Sequence, residues 1–176
     1  LMLLREKMIK IILKMNRIEY NLTKKEETIL TEKFESVMLL RQRQVNEILQ
    51  KKNKNKYIIL YIYIIEYMNR GGISTYIFEK CLCILMPKLI EYFDFSIGPF
   101  QMKYSFVKLY APYSSLNEIF NIDYCIAILD NFFEENNDLN VYQKLSLYHS
   151  GEIDNEYRTT KIYINLYEWY KKTYMF

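Results

Sequence analysis

Glycine and proline are scarce in this 176-residue chain, with 4 and 3 residues against average usage of roughly 7% and 5%. A fold built on many tight turns, such as a β-sandwich or propeller, is therefore not expected. Cysteine is limited to Cys81, Cys83 and Cys125. An odd count, with a Cys-x-Cys pair in an apolar stretch, fits neither a disulfide framework nor zinc-ligand spacing. The thiols are expected to be buried, and neither a metal nor a cofactor is called for. The single histidine, His149, leaves little from which to build a Ser-His-Asp or Cys-His site. It is expected to line a core or a cleft.

Long apolar runs are missing too. The longest, residues 57–65, stops at Glu66, short of the ~20 residues that span a bilayer, so no transmembrane segment is expected. Charge of one sign is also lacking. The chain has 24 basic and 21 acidic side chains and a net charge of +3, a mixture that points to neither nucleic acid nor a membrane surface. Near the start, Arg5, Glu6, Lys7, Lys10 and Lys14 interrupt what would be the apolar core of an export signal. The expected location is the cell envelope if the chain acts on a wall polymer, and the cytoplasm otherwise.

What is present is ordinary globular material, 51% hydrophobic and 26% charged, enough for about one compact domain. The 18 tyrosines accompany an excess of Ile, Lys and Asn that looks like AT-rich coding, so they are not read as a stacking surface. Thr23 followed by Glu26 is a capping box, and Phe34, Val37, Val45 and Ile48 continue an apolar stripe toward Lys51. This helix over residues 22–50 either packs on the core or offers a face to a protein partner. The lysine-rich stretch 51–56 reads as an exposed linker, so residues 1–56 form a helical extension and 57–176 the main domain. Residues 57–68 are apolar on every face and stop at Asn69-Arg70-Gly71-Gly72, as a core helix would. A third helix runs from Ser74 or Thr75 toward Phe93, kinked at Pro87. Helical patterns follow around Phe106, from Ser115 with Glu118, over 122–133, over 141–148 and over 157–170, where Trp169 packs inward. The expected fold is all-α, of about seven helices, with at most a short β-hairpin around 94–100.

The segment that departs from helical patterning is Ser96-Ile97-Gly98-Pro99-Phe100-Gln101-Met102. A small residue, a Gly and a Gln opening a helix would set backbone N–H groups and a side-chain amide where they can hold a polar ligand group. This segment resembles the Gly-Leu-Met-Gln stretch of lytic transglycosylases and goose-type lysozymes, in the lysozyme-like superfamily. Leu147-Tyr148-His149-Ser150-Gly151 is similar to that family's downstream Tyr-Asn signature, with His in place of Asn. Arg70-Gly71-Gly72 and Glu79-Lys80 also resemble a set of uncharacterised lysozyme-like bacterial proteins.

The resemblance implies cleavage of the glycosidic bond between the amino sugars of a peptidoglycan glycan strand. One glutamate at the end of a helix would be the general acid, kept protonated by apolar burial. Glu91, among Ile90, Tyr92, Phe93 and Phe95, is the first choice and Glu79 the second. Ser96, Gly98, Gln101, Met102, Tyr148 and His149 would then contact the sugar. The chain departs from the family pattern at Pro87-Lys88, where an acidic residue is expected after the proline. A catalytically inactive lysozyme-like module that binds glycan or a protein partner is the alternative.

Overall fold

In the computed structural model, residues 23–70 and 73–175 are described. Residues 1–22, on which the export-signal expectation falls, lie outside the described residues, as do Gly71, Gly72 and Phe176. The described residues form nine α-helices and one two-stranded antiparallel sheet, so the fold is all-α with a short hairpin. The described residues divide into two compact units, 23–33 with 136–175, and Phe34–Glu135.

Helix α1, Lys24–Leu40, starts at the expected capping box. The Thr23 backbone N–H donates to Glu26 Oε2 at 2.9 Å, and the Glu26 N–H to Thr23 Oγ1 at 3.4 Å. The single helix expected to continue toward Lys51 is instead two, because Arg41 leaves helical dihedrals (φ −114°, ψ 26°) before α2, Gln42–Gln50. The Arg41 guanidinium lies 4.5 Å over the Tyr67 ring and donates to the Tyr67 hydroxyl at 2.9 Å. Leu30, Phe34, Val37, Val45 and Ile48 are buried, so most of the apolar stripe proposed for a partner is used within the protein's own core.

Residues 51–56 leave Lys52 and Lys54 exposed, and the rest of the stretch is half-buried and tied down. Lys51 Nζ meets Asp123 at 2.6 Å, Asn53 Nδ2 donates to Asp130, and the Asn55 N–H donates to Asn53 Oδ1 at 2.6 Å. Helix α3 then begins at once, spanning Lys56–Arg70 and burying Ile58, Ile59, Leu60, Tyr61, Ile62, Tyr63, Ile64 and Ile65. It is the core helix of its unit.

The expected kinked third helix is two helices, α4 (Ile73–Leu85) and α5 (Pro87–Phe93). Proline lacks an N–H and has a fixed φ, so it opens a helix more readily than it continues one; Met86 (φ −138°, ψ 52°) supplies the break. A hairpin follows, β1 (Ser96–Ile97) and β2 (Met102–Lys103), with Ser96 opposite Lys103 and Ile97 opposite Met102. Helix α6 is Tyr104–Tyr110. The box at Ser115 and Glu118, with the Ser115 N–H donating to Glu118 Oε2 at 2.7 Å, opens only a 3-10 turn, Glu118–Phe120. Helix α7, Ile122–Glu135, packs on α2 and α6 and buries Cys125, Ile128, Leu129 and Phe132.

In the other unit, α8 (Val141–Ser150) packs on α9 (Arg158–Tyr174). Asn140 caps α8, its side chain accepting from the Tyr142 and Gln143 N–H groups, and Gly151 ends the helix in the left-handed conformation at φ 81°. Leu145, Tyr163, Leu166, Trp169 and Tyr170 are buried, Trp169 as expected.

Candidate functional site

The hairpin turn is organised around a carboxylate that comes from the protein itself. Glu79 lies in the middle of α4 and is 6% exposed. Its Oε1 accepts from Arg70 Nε and from Gln101 Nε2, each at 3.1 Å. Its Oε2 accepts from Arg70 Nη2 and from the Gly98 backbone N–H, the latter at 3.1 Å. The arginine therefore grips the carboxylate through two nitrogens, the strongest common form of such a pair. The donors at Gly98 and Gln101, expected to hold a ligand's polar group, hold Glu79.

Local backbone geometry makes this possible. Gly98 has φ +77°, and a Cβ there would stand 2.5 Å from the Ile119 carbonyl oxygen, so only glycine fits. Gln101 also has positive φ, 51°, and its N–H donates to the Gly98 carbonyl at 3.1 Å, closing the turn. The Gln101 side chain bridges back to the same carbonyl at 3.0 Å. Gln101 is thus the last turn residue and not a helix start, which falls at Tyr104. Apolar neighbours anchor the turn: Ile97, Phe100 and Met102 are buried, and the Phe100 ring sits 5.3 Å from that of Tyr63 on α3. At the hairpin's base, Asp94 accepts from the Ser105 N–H at 2.7 Å and from its hydroxyl at 2.8 Å.

The other expected site residues are placed as follows. Glu91 is exposed in the last turns of α5 and accepts from the Tyr104 hydroxyl at 2.9 Å. Tyr92, Phe93 and Phe95 are themselves exposed and do not enclose it; the donor that meets it is Tyr104 and not Lys88. Ser96 is exposed on β1, while Gly98 and Met102 face inward. Tyr148 and His149 are half-buried on α8 of the other unit. There His149 Nδ1 is 3.2 Å from Thr160 Oγ1 and the imidazole lies 4.7 Å from the Tyr163 ring. Of the cysteines, Cys83 and Cys125 are buried as expected, but Cys81 is exposed because it sits on the outer side of α4.

A third glutamate, the one that ends the apolar run 57–65, lies on the helix that meets the turn. Glu66 is half-buried in α3, three positions after Tyr63 and four before Arg70, so all three share one helix face. Tyr63 and Arg70 both reach the 98–101 turn, one through Phe100 and the other through Glu79. Burial pushes the Tyr63 hydroxyl up to about 12. The available sequence signal was a lone charge ending an apolar run near a helix terminus. No protein-family model, no curated protein and no solved structure matches the chain.

Proposed function

We propose that this protein is a lysozyme-like glycosidase or lytic transglycosylase that cleaves the glycan strand of peptidoglycan through a single glutamate. The observation that carries the reading is the fixed turn over 98–101, pinned by Glu79 and Arg70 next to the C-terminal half of α3. Gly98, Pro99 and Phe100 are buried, so the turn serves as a rigid base behind a site, and rigid positioning is what a general acid requires of its surroundings. The chemistry of the carboxylates assigns their parts. Glu79 spends its acceptor positions on internal donors and serves as the anchor of the turn. Glu91 is open to water, whereas a general acid works best where water is excluded. Glu66, half-buried in α3 on the helix face it shares with Tyr63 and Arg70, is the proposed acid, donating its proton to the leaving glycosidic oxygen.

The test is incubation of the purified chain with peptidoglycan and mass analysis of released muropeptides. Glu66→Gln is expected to lower release by about 100-fold or more, while Glu91→Gln leaves it nearly unchanged. Anhydro ends among the products would mark a transglycosylase, and reducing ends a hydrolase. Full activity in Glu66→Gln would remove Glu66 from the role. Glycan binding without release by the folded protein would favour the non-catalytic relative, the reading that Lys88 after Pro87 supports.

A further inference from the structure

Residues 34–50 contain no glycine or proline, yet the helix is interrupted at Arg41 alone, between Leu40 and Gln42. Burial does not require the interruption. On one unbroken helix Phe34, Val37, Arg41, Val45 and Ile48 would share an arc of about 80°, and the four apolar members of that row are buried. Arg41 is the one charged residue in it. The break also has costs. No side chain caps α2, so its first amides lack a helical carbonyl, whereas in a continuous helix those of Gln42 and Gln44 would pair with the carbonyls of Met38 and Leu40.

Arg41 itself is poorly matched. Among the described residues it forms no ion pair, and its Nε is buried with no acceptor. A buried donor left unsatisfied is destabilising, and such groups in a native fold call for an explanation. Arg70, on α3, shows the contrast, since its guanidinium is gripped by a carboxylate. What Arg41 has is Tyr67: the guanidinium lies over the ring at 4.5 Å and Nη2 donates to the hydroxyl at 2.9 Å. Both contacts belong to one side chain of α3, and they offset the lost helical bonds and the orphaned Nε. Interactions of this kind are comparable in size to the costs they offset, so the junction is held by a narrow margin.

We infer that Arg41 and Tyr67 form a latch that keeps α1 and α2 apart, and that one continuous helix is the closely balanced alternative. Tyr67 follows Glu66 and shares α3 with Tyr63 and Arg70, so whatever displaces Tyr67 shifts the junction toward the continuous form. The inference is independent of the glycan reading, because it concerns helix continuity and not catalysis. Arg41→Leu tests it, by completing the apolar row and removing the orphaned donor. Amide hydrogen exchange at Gln42 and Gln44, read by NMR on the full chain, is expected to slow by about tenfold or more. The midpoint of urea unfolding is expected to rise, as it can when a poorly matched buried charge gives way to an apolar side chain. Tyr67→Leu removes the other half of the latch and should slow the same two amides, and Arg41→Met should repeat the Arg41→Leu result. Exchange at Gln42 and Gln44 that none of the three variants slows would overturn the proposal. A urea midpoint lowered by both Arg41→Leu and Arg41→Met would also overturn it, since the pair would then be holding the fold together and not the break.

Discussion

Helix α3 buries eight consecutive residues from Ile58 to Ile65, whereas α4, also apolar over much of its length, buries Glu79 and Cys83 and leaves Ile77, Phe78, Ile84 and Leu85 in solvent. Hydrophobicity alone would have placed both helices inside. What separates them is the chemistry of the inward face: α3 meets apolar side chains, while α4 faces the core with a carboxylate that must be matched by an arginine, a backbone N–H and an amide. A buried charge with several committed donors fixes the rotation of its helix more firmly than a row of interchangeable aliphatic groups does. The apolar side chains of α4 are left outside as a consequence.

The contrast can be broken from either side. The largest change is expected at high pH. Burial holds Tyr63 of α3 and Cys125 of α7 neutral, pushing both from ordinary values of 10.0 and 9.0 up to about 12. Raised values in the folded state mean that the stability these groups contribute is complete below their ordinary values. It is lost as pH climbs from about 9 through about 12. Urea unfolding across that window should show a steadily falling midpoint, and a flat profile would show that water already reaches both groups.

Next comes a direct contest between the helices. Glu79→Ala strands the Arg70 guanidinium, 4% exposed, without its partner and should cost about 3–5 kcal/mol. Ile62→Ala empties a fully buried site on α3 and should cost about 2–5 kcal/mol. Denaturant titration ranks the two, and a Glu79 effect below about 1 kcal/mol would mean that the ion pair does not set the rotation of α4. Gly98→Ala is expected to cost about 2 kcal/mol, from its positive φ and the close Ile119 carbonyl. Hydrogen exchange at the Gly98 position should rise with it. The smallest effect belongs to Phe78→Ser with Leu85→Ser, within about 0.5 kcal/mol of the parent in thermal unfolding, since neither side chain is buried.

The all-α class, the hairpin near residue 96 and the Thr23 start could be read from the chain because each rests on local chemistry: few glycines, a Gly-Pro punctuation and a capping box. The break at Arg41 could not, since Leu40-Arg41-Gln42 contains no helix breaker. That Lys51 and Asn53 have partners is not legible in the sequence, because Asp123 and Asp130 are distant along the chain. In the candidate site, the sequence marks Gly98 and Gln101 as donors for a ligand's polar group, and in the structure both donate to a side chain of the protein itself. That the group is Glu79 depends on the rotation of α4, which its apolar pattern conceals. Glu66 is visible in the sequence as the charge that closes an apolar run, but that its helix face meets the turn becomes apparent only once Phe100 is seen against Tyr63.

Every partner of the Glu79 carboxylate lies between Arg70 and Gln101. Contacts so close along the chain form with little loop-closure entropy and do not wait for distant segments to arrive. The turn should therefore assemble early during folding, as a nucleus that includes the end of α3 and onto which α7 condenses. Substitutions at Glu79 or Arg70 should slow refolding more than they hasten unfolding, so the signature of this cluster would appear in kinetics as well as in equilibrium stability.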